Sequence, residues 1–398
     1  MTAHTPSQPL RRRVLASMAA AAFALAGCAT PIGEAAGSII PGGLSGAPAE
    51  TGPVRVALLV PSGSGDAERD AIARSLENAA RLAIQDNPGA NIDLTVLSTG
   101  GDQNMAATAA SQAASTNAEI IVGPLFSSSV SAVSPIAAQS GIPVLAFSNN
   151  TAVAGGGTYV LGTTFESKAR RLLSYAAARG LRSTGVIYTQ DAEGEAALGA
   201  VQSAARNTGT QLVANASYPR SRDGIPAAAE GYTNAMIGAG VDNIVMSDNG
   251  TGLVYASSFL PFHGLNLNNV QLIGLQDLSA PALQAERSLE GTWYAIEDPS
   301  AAASFASRYS ARYGTAPHPL AGLAYDGISA VAALAGSGTR RNAFSAANLT
   351  RSAGFSGAEG AFRLRSDGSA DRALAIMEVN RSGPQLVDPA AGAGQPGL

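Results

Sequence analysis

The sequence predicts an α/β chain of two Rossmann-like lobes, each a parallel sheet flanked by helices, facing each other across a cleft. Three observations predict it. Short β-rich apolar runs alternate with stretches of helical spacing from Val54 onward. The alternation restarts near Glu166 after a first full series. The last third is too short for another domain and reads as segments that return to complete both lobes. At 398 residues the chain has room for two domains.

The first lobe opens on Val54 to Val60, an apolar run closed by Pro61-Ser62-Gly63, the pattern of a strand buried on both faces. Residues 67–86 carry Ile72, Leu76, Ala79, Ala80 and Ala83 at helical spacing. Ile92 to Leu97 is a strand, Met105 to Ala114 a helix, and Glu119 to Val122 a strand stopped by Gly123-Pro124. Ser127 to Gln139 is helical, with Ser127 as its expected N-cap. Pro135 should kink or split that helix, with Ser134 capping a fresh turn. Pro143 to Phe147 and Tyr159 to Leu161 are strands. The second series places helices at 166–179, 193–207, 225–238 and 252–262, with strands at 184–188, 211–217, 242–247 and 270–274. Then come a strand at 291–296, helices at 300–313 and 320–336, and a hairpin of 361–365 and 372–379 about Ser366 to Ser369.

Residues 1–28 read as an export signal. Arg11, Arg12 and Arg13 precede an apolar stretch, Val14 to Leu25, that is too short to span a membrane. It ends in Leu25-Ala26-Gly27-Cys28, which resembles the bacterial lipobox, so Cys28 is the expected lipidation site. Ala29 after the cysteine resembles outer-membrane sorting, and Arg12-Arg13-Val14-Leu15 resembles a loose twin-arginine signal. The Gly-, Ala-, Pro- and Ser-rich residues after Cys28 form an expected tether. The chain thus divides into a signal at 1–28 and a tether at 29–52. The first lobe takes 53–161 plus 293–350, the second 162–292 plus 351–388, and 389–398 is a disordered tail.

Several chemistries are excluded by composition. A formal net charge of -4, with 14% of residues charged, supplies no basic face for nucleic acid. Cys28 is the sole cysteine, and His4, His263 and His318 share no ligand spacing, so no metal or other cofactor is expected. No nucleophile elbow or phosphate loop occurs. Glu193 and Glu195 are spaced too generically for a glycosidase. The chain is therefore read as non-enzymatic.

Four landmarks stand in order: Ala57 to Gly63, Ile120 to Ser128, Gly141 to Asn149, and Ala324-Tyr325-Asp326-Gly327. Together they resemble the type I periplasmic-binding fold, in its leucine/isoleucine/valine-type solute-binding branch, over 54 to about 385. The segments around Gly123 to Ser128 and Leu145 to Asn149 also resemble bacterial lipoproteins called penicillin-binding protein activators. These resemblances imply two alternative partners, a peptidoglycan synthase (penicillin-binding protein) or an ABC permease. They also imply periplasmic location, with membrane contact through the lipid anchor alone.

In open α/β sheets, ligands bind beyond the carboxyl ends of strands. Ser62, Phe126, Ser127 and Ser128 stand at such ends, as do Phe147, Ser148 and Asn149. A helix opening at Ser127 favours an anion; the resemblance gives a carboxylate to Ser127 or Ser128. In the second lobe Glu193, Asp248, Gln276 and Asp277 occupy the matching ends. Glu193 replaces an aromatic that the family usually offers, which weakens the case for an amino acid. A buried Asp248 or Asp277 must be solvated or matched by a cation. A small polar molecule is the expected cleft ligand.

Overall fold

The apolar run Val54–Val60 (β1) sends Val56, Leu58 and Val60 into one core and Ala57 and Leu59 into another, as a strand covered on both faces must. The structure, a computed structural model, describes residues 52–336 and 342–392. The expected signal, Cys28, the tether up to residue 51 and the end of the tail lie outside the described residues.

Strand β1 is an interior strand of a five-stranded parallel sheet, with Ile92–Ser98 (β2) on one side. On the other side lie Ile120–Val122 (β3), Val144–Ala146 (β4) and Thr158–Val160 (β5). Helix α1 (Ala67–Asp86) starts where the Asp66 carboxylate accepts from the amides of Glu68 and Arg69, and buries Ala73, Leu76, Ala79, Ala80 and Ala83. Helices α2 (Gln103–Ser115) and α3 (Ser127–Gln139) cover the other face, which holds Ala106, Ala110, Val130 and Val133.

Two local expectations fail in α3. Pro135 does not split it, and Ser134 caps no fresh turn. The Ser134 hydroxyl donates to the Val130 carbonyl at 2.9 Å and accepts from Thr158 at 2.8 Å. Nor is Ser127 the cap: Phe126 holds that position without a side-chain hydrogen bond, and Ser127 is the first helical residue. The Ser127 hydroxyl is engaged elsewhere, as described below.

The second series comprises α4 (Phe165–Ala178), β6 (Ser183–Thr189), α5 (Ala192–Thr208), β7 (Gln211–Tyr218) and α6 (Gly224–Ala239). It continues with β8 (Asn243–Met246), α7 (Gly250–Phe262), β9 (Gln271–Gly274), the short α8 (Pro281–Gln284) and β10 (Trp293–Glu297). Helices α4 and α5 pack on one face of its sheet, and α6 and α7 on the other. The chain then returns through α9 (Pro299–Tyr313), α10 (Ala321–Ala335) and α11 (Ala346–Leu349). Five strands follow: β11 (Phe355–Gly357), β12 (Gly360–Leu364), β13 (Ala370–Arg372), β14 (Leu374–Glu378) and β15 (Gln385–Asp388). The second sheet has seven strands in the order β15-β14-β10-β9-β8-β6-β7, and β11-β12-β13 form a small antiparallel sheet.

These pairings move two sequence-based boundaries. Strand β10, assigned to the first lobe from 293, pairs with β9 and β14 in the second sheet. Residues 355–370, assigned to the second lobe, pack on the first: Phe355, Phe362, Leu364 and Ala370 share a core with Leu58, Leu76 and Ile328. The hairpin turn is where expected, but only Ala370–Arg372 pairs with β12; β14 leaves for the other sheet. Helical or strand spacing identifies an element, whereas its partner is chosen by non-local packing.

The chain crosses between the lobes after β5, after β10 and after β13. Arg372 lies at the third crossing and holds the others near it. Its Nε donates to the Leu161 carbonyl at 2.7 Å, past the end of β5. Its Nη1 meets Asp326 of α10 at 2.8 Å and Glu359 at 3.2 Å. The guanidinium also lies over Phe362, 5.2 Å from the ring centroid. Both Arg372 and Asp326 are buried. A Cβ at Gly322 would meet the Glu359 side chain, which would then have to shift beside Arg372.

Replacing Arg372 by Met should lower the unfolding free energy by about 3–5 kcal/mol, because Asp326 would stay buried without its cation. Urea denaturation reads this directly. A loss below about 1 kcal/mol would show that the crossings are held by other contacts.

Candidate functional site

A cavity of about 490 Å³ opens between the lobes. The first lobe brings the ends of β3 and β4 to it. Gly123, at the end of β3, has φ +92°, and a Cβ there would strike the Leu59 carbonyl, so the tight exit of this strand demands glycine. The chain then places Phe126 and Ser127 at the start of α3. Phe126, Ser127, Phe147, Ser148 and Asn149 all line the cavity. Ser127 and Ser148 share a hydroxyl hydrogen bond of 3.0 Å, and Ser148 also accepts from the Asn150 amide at 3.1 Å. These hydroxyls, with the amides opening α3, form a patch suited to an anionic group.

Two other first-lobe candidates fall outside the cavity lining. The Ser62 hydroxyl bonds that of Ser98 at 2.7 Å, joining the ends of β1 and β2. Ser128 is exposed, because the helical turn carries it away from Ser127.

The remaining polar lining was not anticipated. Lys168 comes from α4, Glu297 from the end of β10, Thr163 from the first crossing, and Glu359 from the turn between β11 and β12. The Thr163 hydroxyl donates to Glu297. Burial works against charge on Glu297, but that hydroxyl and the positive charges of Lys168 and Arg372 outweigh it and hold the carboxyl below its usual range. Glu359 is driven the other way. Burial, with repulsion from Asp326 and Glu297, outweighs Arg372 and pushes it up to about 8. Burial likewise raises Asp326. Counting full charges, Lys168 and Arg372 face Asp326, Glu297 and Glu359, so this group holds one negative charge too many and retains a proton readily.

The second-lobe candidates gather around a residue that the strand-end rule could have found but did not, Arg220, just beyond β7. Its guanidinium meets Asp248 at 3.0 Å, Glu193 at 2.9 Å and Asp191 at 3.5 Å. Gln276 donates to Glu193 at 2.8 Å, and the Tyr218 hydroxyl to Asp248 at 2.7 Å. Asp248 is only 1% exposed, and its cation is thus internal. Asp277 is exposed and accepts from the Ser279 amide at 2.8 Å, a local turn contact. Glu193, Asp248, Gln276 and Asp277 are all absent from the cavity lining. Among the described residues, no cluster of three His, Cys, Asp or Glu side chains is placed to hold a metal ion.

A family model described as periplasmic binding protein matches residues 53–384. The sequence matches none of the curated proteins compared with it. Among solved structures, the chain is similar to a protein assigned to a branched-chain amino acid ABC transporter of Rhodospirillum rubrum. That match has a TM-score of 0.71 and 17% identity, over 84% of this chain and 100% of the other. A leucine-binding protein from Thermotoga maritima matches with a TM-score of 0.54 and 18% identity, over 85% and 98% of the two chains. An ABC-transporter solute-binding protein from R. palustris, solved with benzoate, matches with a TM-score of 0.53 and 17% identity, over 87% and 100%. All share the fold of two α/β lobes found here.

A carboxyl whose pKa is higher folded than unfolded binds its proton more tightly when folded. The stability this gives is complete below the ordinary value of 4.5 and is lost as pH rises through about 8. Wild-type melting temperature should therefore fall from about pH 5 to about pH 8 relative to Glu359→Gln, which mimics the protonated form. Melting curves of the two proteins that run parallel across this range would show that Glu359 holds no such proton.

Proposed function

The chain belongs to the periplasmic binding protein family, and from that premise we propose that it is a non-enzymatic receptor for a small polar solute, delivering it to an ABC permease. The observation that carries this reading is the pairing of chemistries in one interlobe cavity. The Ser127 and Ser148 hydroxyls with the start of α3 suit a carboxylate, and a cationic group beside Glu297 can take the place of the proton that Glu359 holds. A zwitterion such as an amino acid or related amine-bearing acid satisfies both. Phe126, Phe147, Leu320 and Leu323 would flank its apolar part. The solved relatives whose names mention leucine and benzoate both concern carboxylate ligands, which supports the anionic half of the reading.

Thermal-shift and calorimetric titration with amino acids, their amides and aromatic acids tests this. A zwitterion should bind, its amide or its deaminated analogue should bind more weakly, and Ser148→Ala should weaken binding by roughly tenfold or more. Folded protein stabilised by none of these solutes would refute the receptor reading.

A second reading rests on the lipobox-like Leu25-Ala26-Gly27-Cys28, the following Ala29, and the segments at Gly123 to Ser128 and Leu145 to Asn149. They support a periplasmic lipoprotein anchored in the outer membrane through Cys28 that activates a peptidoglycan synthase. Membrane-fractionated protein would then bind and stimulate a bifunctional synthase at micromolar concentration. Recovery of Cys28 without acyl chains would remove the anchor, and absence of binding would remove the activator.

A further inference from the structure

Among the described residues, Lys168, Glu297 and Glu359 are the charged side chains that line the interlobe cavity. Arg372 and Asp326 are buried behind them. Each cation in this group has a nearer acid than Glu359. Arg372 stands 2.8 Å from Asp326 and 3.2 Å from Glu359. Lys168 lends its charge to Glu297, whose carboxylate also accepts from Thr163. Glu359 is therefore the acid without a cation of its own.

The other elements packed against Glu359 supply no further cation. Helix α10 meets it at Gly322 and contributes Asp326. Beyond the end of β10 the Asp298 amide donates to the Glu359 carbonyl at 3.4 Å. The Asp298 carboxylate is turned to the start of α9, where it accepts from the Ser300 amide at 2.9 Å. A carboxylate so placed is costly to ionise while the cavity is empty, and a proton removes the cost. Burial, with Asp326 and Glu297, pushes Glu359 up to about 8, which agrees with this reading of the contacts.

Geometry also decides which carboxyl of the Asp326 and Glu359 pair a solute can reach. The Asp326 side chain is 0% exposed and accepts from the Ala358 amide at 2.6 Å as well as from Arg372. The Glu359 side chain is 16% exposed and forms part of the cavity wall.

We propose that Glu359 selects an amine-bearing solute by exchanging its own proton for the solute's ammonium group, so that one proton passes to solvent for each solute bound. The O–H bond of the carboxyl breaks, its proton leaves to water or buffer, and the carboxylate accepts an ammonium N–H in its place. The net charge of the filled cavity stays the same, because one cation replaces another. An acid that lacks the amine brings no cation and leaves the proton where it is. The inference rests on the receptor reading and adds to it the group that distinguishes amines from other acids.

Isothermal titration calorimetry of the full-length protein tests this with the twenty standard amino acids. Each one that binds is compared with the carboxylic acid lacking its amine. Titrations at pH 6.0 and pH 8.0, in buffers of different ionisation enthalpy, count the protons released. Because the solute takes the ionised form, its affinity should rise roughly tenfold or more between these pH values. Close to one proton should be released per amino acid at pH 6.0. The deaminated acid should show neither effect, and Glu359→Gln should abolish both. An amino acid that binds equally at both pH values without releasing a proton overturns the exchange and leaves the receptor reading standing. Proton release that persists in Glu359→Gln, or that the deaminated acid also causes, overturns the assignment to Glu359. Binding of no amino acid at either pH overturns the exchange together with the receptor reading.

Discussion

The buried contact of Arg372 with Asp326 and Glu359 is the constraint on which the two-lobed arrangement depends. Three chain crossings must stay close if two separate sheets are to face one another. An apolar contact could hold them, but it would not fix their register. The guanidinium does so by binding the Leu161 carbonyl at one crossing and carboxylates on α10 and on the β11–β12 turn while itself lying at another. Burying this charge is costly unless it is fully paired. The cost is offset by two carboxylates, and the second carries a consequence: three acids and two cations share one low-dielectric space.

That consequence reaches the cleft. Glu297 and Glu359 belong both to the charge group around Arg372 and to the cavity wall. The fastening of the crossings and the electrostatics of the cavity are thus one system. A cation entering the cleft would compete with the proton held by the Asp326 and Glu359 carboxyls, a coupled pair rather than two independent acids. The second lobe contrasts with this. There Arg220 answers Asp248, Glu193 and Asp191 from within the same lobe, so its strand ends are tied to one another before any ligand arrives.

Arginine also organises the outer side of the same seam. Asp371, next in sequence to Arg372, takes arginines from α4 and from the hairpin. Adjacent residues of β13 therefore meet different partners, Arg372 the acids Asp326 and Glu359 and Asp371 the arginines of α4 and β12. The alternation of a strand makes this possible. It allows one short strand to take part in both the inner and the outer ion groups that link the lobes.

What the sequence by itself determined was local. Apolar periodicity located the strands and helices of both series, because spacing along a chain directly records which face is buried. The strand-end rule pointed to Phe126, Ser127, Phe147, Ser148 and Asn149, which line the cavity, since the end of a strand and the start of a helix are adjacent in sequence. Tertiary structure alone decided where the returning segments belong, placing β10 with the second sheet and Phe355 to Ala370 with the first core. It alone brought Lys168, Glu297 and Glu359 to one cavity. It also gave Asp248 the partner Arg220. The physical reason is the same in each case. Hydrophobic pattern is a property of neighbours along the chain, whereas charge compensation and sheet pairing join residues far apart in sequence, and nothing in the local pattern records which distant partner a strand or a carboxylate will meet.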